Sequence, residues 1–344
     1  MKPVPFVIAL LVLAGCGADD RTPLVVYTPH GKELLTAYEE AFEAEHPDVD
    51  VQWLDMGAQN VYDRIRTESA RPQASLWWGG RGVDFDRAAG EGLLEAYRPT
   101  WAGAIDSVYR HPEHFWYGTY LTPEVITFNT RQVPETEAPS DWDDLLDPKW
   151  ADRILIRYPL DSGTMRTIWA AMILRQPTIE EGYRWLAQLD VNTKSYTADP
   201  TQLYIKLARE EGDVTLWNMP DTDLQAKDNG YPFGYLVPAS GTPILTEGIA
   251  LVSGGPNLDR AKQFYEFVTS KDALIRQAND FHRIPARTDI APEDLPEWIR
   301  NADLRPMPMD WQRIAEEGPD WMQYWDENIK GRGAEYLAGS QGSL

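Results

Sequence analysis

From Leu24 onward, short apolar runs alternate with stretches whose apolar residues recur three and four positions apart. Leu24-Val25-Val26-Tyr27 reads as a buried strand, and Lys32 to Glu45 as a helix with Leu34, Leu35, Tyr38 and Phe42 on one face. Val49 to Trp53 alternates with the period of a strand, Gln59 to Ser69 carries Val61, Tyr62 and Ile65 at helical spacing, and Ala74 to Trp78 is again strand-like. This β-α-β-α-β order predicts a mostly parallel sheet covered by helices. A second region of the same kind begins near Val125-Ile126-Thr127-Phe128. It continues through Ile154-Leu155-Ile156, helices starting at Thr164, Ile179 and Pro200, and a strand at Val214 to Trp217. The pattern then returns to a strand, Ile249 to Val252, and two helices, Leu258 to Thr269 and Lys271 to Asn279. The Gly-rich tail after Gly331 is expected to fray.

Two α/β regions without a long linker imply two lobes around a cleft. In open α/β sheets ligands gather at the carboxyl ends of strands, which points to the loops after Tyr27, Trp78, Tyr158 and Trp217.

A single apolar run, Phe6 to Leu13, precedes the first strand and follows Met1-Lys2-Pro3. It is too short to cross a bilayer, which takes roughly 20 residues, and has the layout of a secretory signal. Its end, Leu13-Ala14-Gly15-Cys16, resembles a bacterial lipobox, which implies removal of residues 1–15 and a lipid on Cys16. Cys16 is the one cysteine, so no intramolecular disulfide is expected. The 344 residues carry 54 acidic against 32 basic side chains, a net charge of −22, and such a surface repels nucleic acid. Fourteen tryptophans are enough both to pack a core and to stack on a ligand.

In Asp161-Ser162-Gly163-Thr164, Ser162 is a good N-cap for the following helix and Gly163 allows close approach of backbone amides. Free amides and the positive end of the helix dipole suit an anion, with Arg157 and Arg166 close in sequence. A plain helix cap beside two solvated arginines has the same sequence. Thr28-Pro29-His30-Gly31 leaves the first strand where a ligand would lie, and His30 can donate to an anion, bind a metal or be ordinary polar surface. Trp77-Trp78-Gly79-Gly80-Arg81 leaves the third strand, with one tryptophan expected in the core and the other on the ligand. His111 and His114 flank a proline in a solvated loop and are not read as a metal pair. Metalloprotease, hydrolase-elbow, Walker and dinucleotide motifs are missing, so no cofactor is expected, and no nucleophile, base and orienting group stand out for an extracellular hydrolase.

In this order the segments resemble the bacterial solute-binding proteins of ABC importers, in the family that includes ferric-ion-binding proteins and receptors for sugar phosphates, phosphonates, thiamine and polyamines. The likeness runs from about Leu24 to Arg287. It rests on Val26-Tyr27-Thr28-Pro29-His30, Trp77 to Gly80, Gly92 to Tyr97, Phe128-Asn129-Thr130, Trp142 to Leu145, Ser162-Gly163-Thr164 and, above all, Gly241 to Ile244 with Gly248 to Val252. The resemblance implies an α/β, two-lobed type II periplasmic-binding-protein fold. Its expected layout is a tether at 16–22, lobe 1 at 23–119 and 238–344, and lobe 2 at 120–237. It also implies a monomeric, exported receptor that catalyses nothing, is held at a membrane only by its lipid, and delivers a small solute to a permease and its ATPase. Ferric-binding relatives place a tyrosine pair where this chain has Asn218-Met219-Pro220-Asp221, which disfavours iron. The expected ligand is an anionic organic compound held by Ser162, Gly163 and Thr164, with Thr28, His30 and Gly79 opposite and Trp78, Asn218 and Asp221 on the organic part. A ferric ion or a polyamine is the alternative.

Overall fold

The computed structural model of the protein describes residues 21–340. The expected signal segment and Cys16 lie outside the described residues. Thr22, expected in the tether, already belongs to a strand, and Arg21 before it pairs with Glu43 and Asp50.

The first stretch comprises β1 (Thr22–Thr28), α1 (Lys32–Glu45), β2 (Val49–Asp55), α2 (Ala58–Thr67), β3 (Leu76–Arg81), α3 (Gly82–Gly90), β4 (Leu94–Glu95) and the long β5 (Tyr117–Asn129). The second comprises β6 (Ile154–Arg157), α4 (Gly163–Leu174), α5 (Ile179–Asn192), β7 (Thr193–Thr197), α6 (Pro200–Ala208), β8 (Val214–Asn218), α7 (Met219–Lys227) and β9 (Phe233–Leu236). The chain ends with β10 (Ile244–Val252), α8 (Leu258–Val268), α9 (Lys271–Asp280), β11 (Ile284–Pro285), α10 (Glu297–Arg300), α11 (Trp311–Asn328) and α12 (Gly333–Ser340). No helix among the described residues is long and apolar enough to cross a membrane.

The predicted β-α-β-α-β unit forms, with β1 parallel to both β2 and β3. The strand order is β2-β1-β3-β10-β5-β8-β6-β7. β5 belongs to both lobes: residues 117–123 pair with β10, and residues 124–128 pair with β8. The change of partner falls between Pro123 and Glu124. A proline there cannot donate to a ladder, so it suits the end of one pairing.

The first sheet is covered on both faces, so its strands are apolar on both. Trp78 packs on one face with Val26, Tyr38, Phe42 and Phe264, while Trp77 packs on the other with Tyr27, Val61 and Phe85. Consecutive residues on a strand point to opposite faces, so the Trp77-Trp78 pair fills both cores. The expectation that Trp78 faces the ligand is therefore corrected: its side chain is fully buried.

The C-terminal segment also departs from expectation. Ile314, Trp321, Met322, Trp325 and Ile329 join the core of the second lobe, with Ile156, Trp169, Met172 and Leu186. Residues 311–340 thus pack on the lobe opposite to the one expected for 238–344. The tail does not fray before Ser340, because Asp190 of α5 accepts hydrogen bonds from the amides of Gly331 and Gly333, both at 2.9 Å. A Cβ at Gly333 would lie 2.3 Å from the Ala187 carbonyl, so glycine permits this docking.

Trp325 is fully buried, between Trp169 and Tyr196. Trp325→Ala is expected to lower the unfolding free energy by about 3–5 kcal/mol, measured by urea denaturation. A loss under about 0.5 kcal/mol, typical of surface positions, would mean that α11 is not part of the second core.

Candidate functional site

The four loops singled out from the sequence converge on one cavity of about 660 Å³ between the lobes. His30 follows β1, Gly80 and Arg81 end β3, Ser162 to Thr164 open α4, and Asn218 and Asp221 open α7.

On the second-lobe wall, the Ser162 hydroxyl accepts from the Met165 amide at 3.2 Å and caps α4. The amides of Gly163 and Thr164 stand at the free N-terminal turn, where a helix offers donors without partners. Three arginines surround this turn. Arg157 donates to the Thr197 and Asp161 carbonyls, and Arg166 donates to the Leu160 carbonyl while its Nε is buried without a partner. Arg81 comes from the opposite lobe. Asp84 holds its guanidinium through two bonds of 2.9 and 2.8 Å, and its Cδ lies 3.6 Å from where a Cβ of Gly163 would stand. Burial, and then the nearby charge of Arg81, lower the pKa of Arg166. Two guanidinium groups, that of Arg81 already paired with Asp84, and a helix N-terminus thus face one space, a donor set whose chemistry suits an anion.

The far end of the cleft is arranged differently. The Tyr120 hydroxyl lies 2.9 Å from Nδ1 of His30 and 3.4 Å from a Glu247 oxygen, which also accepts from the Gly80 amide at 3.3 Å. Burial, reinforced by the charge of Arg283, pushes the His30 pKa down to about 3. At neutral pH His30 is therefore an uncharged hydrogen-bonding group. Arg283 lies over the Tyr120 ring and 3.9 Å from Asp221, across the cleft. Asp221 accepts from the Asn218 side chain at 2.9 Å and from Tyr204 at 3.3 Å, and Asn218 caps α7 by accepting from the Asp221 amide.

Beneath this end, Glu124 is fully buried and neither carboxyl oxygen makes a well-formed hydrogen bond. Burial, then the charge of Asp221, raises its pKa well above the usual carboxylate range, against a smaller pull from the Thr164 hydroxyl. The neutral acid is thereby favoured in the folded protein.

Of the residues expected from sequence, His30, Ser162, Gly163, Thr164, Asn218 and Asp221 line the cavity. Thr28, Trp78 and Gly79 lie behind it and position His30. The Thr28 hydroxyl accepts from the His30 amide at 3.1 Å, and Trp78 meets the imidazole edge-on. Gly79, at φ +94°, leaves room where a Cβ would come within 2.4 Å of that ring. Sequence reasoning missed Arg81, Tyr120, Glu124 and Arg283 as site residues. Glu124 did carry a signal, as a lone charge at the start of the apolar run Val125 to Phe128; Arg283 carried none. Among the described residues, no group of three or more His, Cys, Asp or Glu side chains is placed to hold a metal ion.

The Glu124 environment has a consequence for stability. Because the folded pKa is raised, the folded state keeps a proton that the unfolded chain releases above about pH 4.3, and stability falls as pH rises from there toward the folded pKa. Glu124→Gln removes this dependence. The stability difference between variant and wild type is expected to shift in favour of the variant by up to about 1.4 kcal/mol per pH unit between pH 5 and 7. Parallel denaturation midpoints across that window would show that Glu124 is ionised in the folded state.

Comparisons with known proteins agree with this architecture. Residues 83–316 match the family model for bacterial extracellular solute-binding proteins. The chain is 26% identical to a "Probable ABC transporter periplasmic-binding protein" of Sinorhizobium fredii, over 94% of this chain and 91% of the relative. Its structure is similar to that of the periplasmic binding protein AfuA from Actinobacillus pleuropneumoniae with fructose-6-phosphate bound, with a TM-score of 0.77, 24% identity and coverage of 90% and 99% of the two chains. It is also similar to the ferric binding protein from Campylobacter jejuni, with a TM-score of 0.78, 18% identity and coverage of 88% and 98%. With two lobes sharing one strand, a polar cleft between them and a family match over most of its length, the chain belongs to the bacterial extracellular solute-binding proteins.

Proposed function

We propose that this protein is the receptor of an ABC importer and captures an organic solute with a phosphate or phosphonate head group. The observation that carries this reading is the cradle at the start of α4, where unpartnered amides and Arg166 from one lobe face Arg81 from the other. An anion there would draw both lobes together, since each arginine alone repels its counterpart. His30, Tyr120, Asn218 and Asp221 address the organic part through neutral or acceptor groups. Closure turns about β5 at Pro123–Glu124, with one lobe built on residues 22–122 and 244–290 and the other on residues 124–236 and 311–340. As a receptor it catalyses no reaction, and it passes its solute to a permease driven by an ATPase. It acts as a monomer on the outer side of a membrane, held there by a lipid on Cys16.

A second reading is favoured by Glu247 and Asp221 at the far end of the cleft. They suit a cationic solute such as a polyamine, or an amino group on the same anionic solute.

Isothermal titration with fructose 6-phosphate, a phosphonate, an uncharged hexose and a polyamine separates these readings. The anionic compounds are expected to bind, and Arg166→Ala to weaken them about tenfold to hundredfold, the worth of one charge-assisted hydrogen bond. Binding of the polyamine alone, or anion affinity unaltered in Arg166→Ala, would refute the anion cradle.

A further inference from the structure

The cleft does not end at the arginines. Gln59, Arg81, Asp84, Leu160 and Arg166 line the ligand cavity on one side and a second space of about 330 Å³ on the other. This second chamber lies between α3 of the first lobe and α4 and α11 of the second. Its walls are mostly apolar: Val83 from α3, Ala170 from α4, and Ile314, Gly318 and Met322 from α11. Ala170 is a small residue at a buried position of α4, Gly318 is the smallest of the buried residues of α11, and a Cβ at Gly318 would meet nothing closer than Ile314 at 3.6 Å. Space is therefore left open where a larger side chain would fit, in an otherwise tightly packed contact between lobes. Trp311, at the start of α11, lines the chamber and reaches the first-lobe residues Val83 and Trp116.

On the reading that an anion sits between Arg81 and Arg166, we propose that the natural solute carries an apolar arm which extends from its anionic group into the chamber beneath α11. The head group then lies at the junction of two compartments, with polar functions toward His30 and Asp221 and hydrocarbon or a ring toward Met322. An apolar cavity of about 150 Å³ suffices to bind benzene, so the chamber accommodates a ring or a chain of several carbons. Hydrophilic sugar phosphates fill only the first compartment and are incomplete ligands. α11 becomes part of the binding site, and its packing on the second core makes it a firm wall.

The test is a titration of the protein at pH 7 with n-alkyl phosphates from methyl to hexyl. Wild-type affinity is expected to rise with each methylene, by up to about fourfold where the group is fully buried. In Gly318→Leu, which fills part of the chamber, methyl phosphate should bind as in wild type while the advantage of hexyl phosphate shrinks. Ala315→Leu, at an exposed position of α11 that lines the same space, repeats the test if Gly318→Leu does not fold. Equal wild-type affinity for methyl and hexyl phosphate would overturn the apolar arm and leave the anion cradle standing. A hexyl advantage undiminished in the filled variant would place the arm elsewhere and overturn it as well. Failure of every alkyl phosphate to bind would remove the anion reading and the inference together.

Discussion

One strand holds the molecule together. β5 pairs with β10 through residue 123 and with β8 from residue 124, so a single continuous backbone serves two sheets. The connection between β9 and β10 runs beside it: the Glu124 amide donates to the Pro243 carbonyl at 3.1 Å, and the Thr242 hydroxyl donates to the Glu124 carbonyl. Each lobe has its own buried core on its own side of this crossing. Internal packing therefore makes each lobe a unit of its own, joined to the other at this crossing and by α11. That is the mechanical requirement for closing on a solute by a hinge.

The hinge also explains where the unusual side chains lie. Glu124 follows the partner exchange directly, and Tyr120 and Glu247 sit on the two strands paired just before it. Groups at this position are buried, which keeps His30 uncharged and favours the protonated form of Glu124. Arg81 and Arg166 stand at the other end, beside the first turn of α4. The far end of the cleft thus sets the uncharged His30 beside Glu247, Asp221 and the cationic Arg283.

The C-terminal helix adds a third wall. α11 buries Trp321, Met322 and Trp325 in the second lobe while Trp311 lies toward the first. A helix anchored in one lobe and touching the other forms a wall shared by both.

Apolar periodicity and loop chemistry determined a good part of this protein without coordinates. The parallel unit from β1 to β3, the helix faces at Leu34 to Phe42 and Val61 to Ile65, the four ligand loops and the S-G-T cap were all legible, because each depends on neighbours within a few residues. The role of Trp78 was misread because a pleated strand buried on both faces gives adjacent tryptophans the same composition signal as a half-exposed one. The path of residues 311–340 was decided by tertiary packing alone: an amphipathic helix shows that it has an apolar face, not which core receives it. Arg81, Arg283 and Glu124 became site residues only when lobes distant in sequence were brought together. Their function depends on proximity across the cleft, and no local pattern encodes a distance between residues 81 and 166 or between 221 and 283.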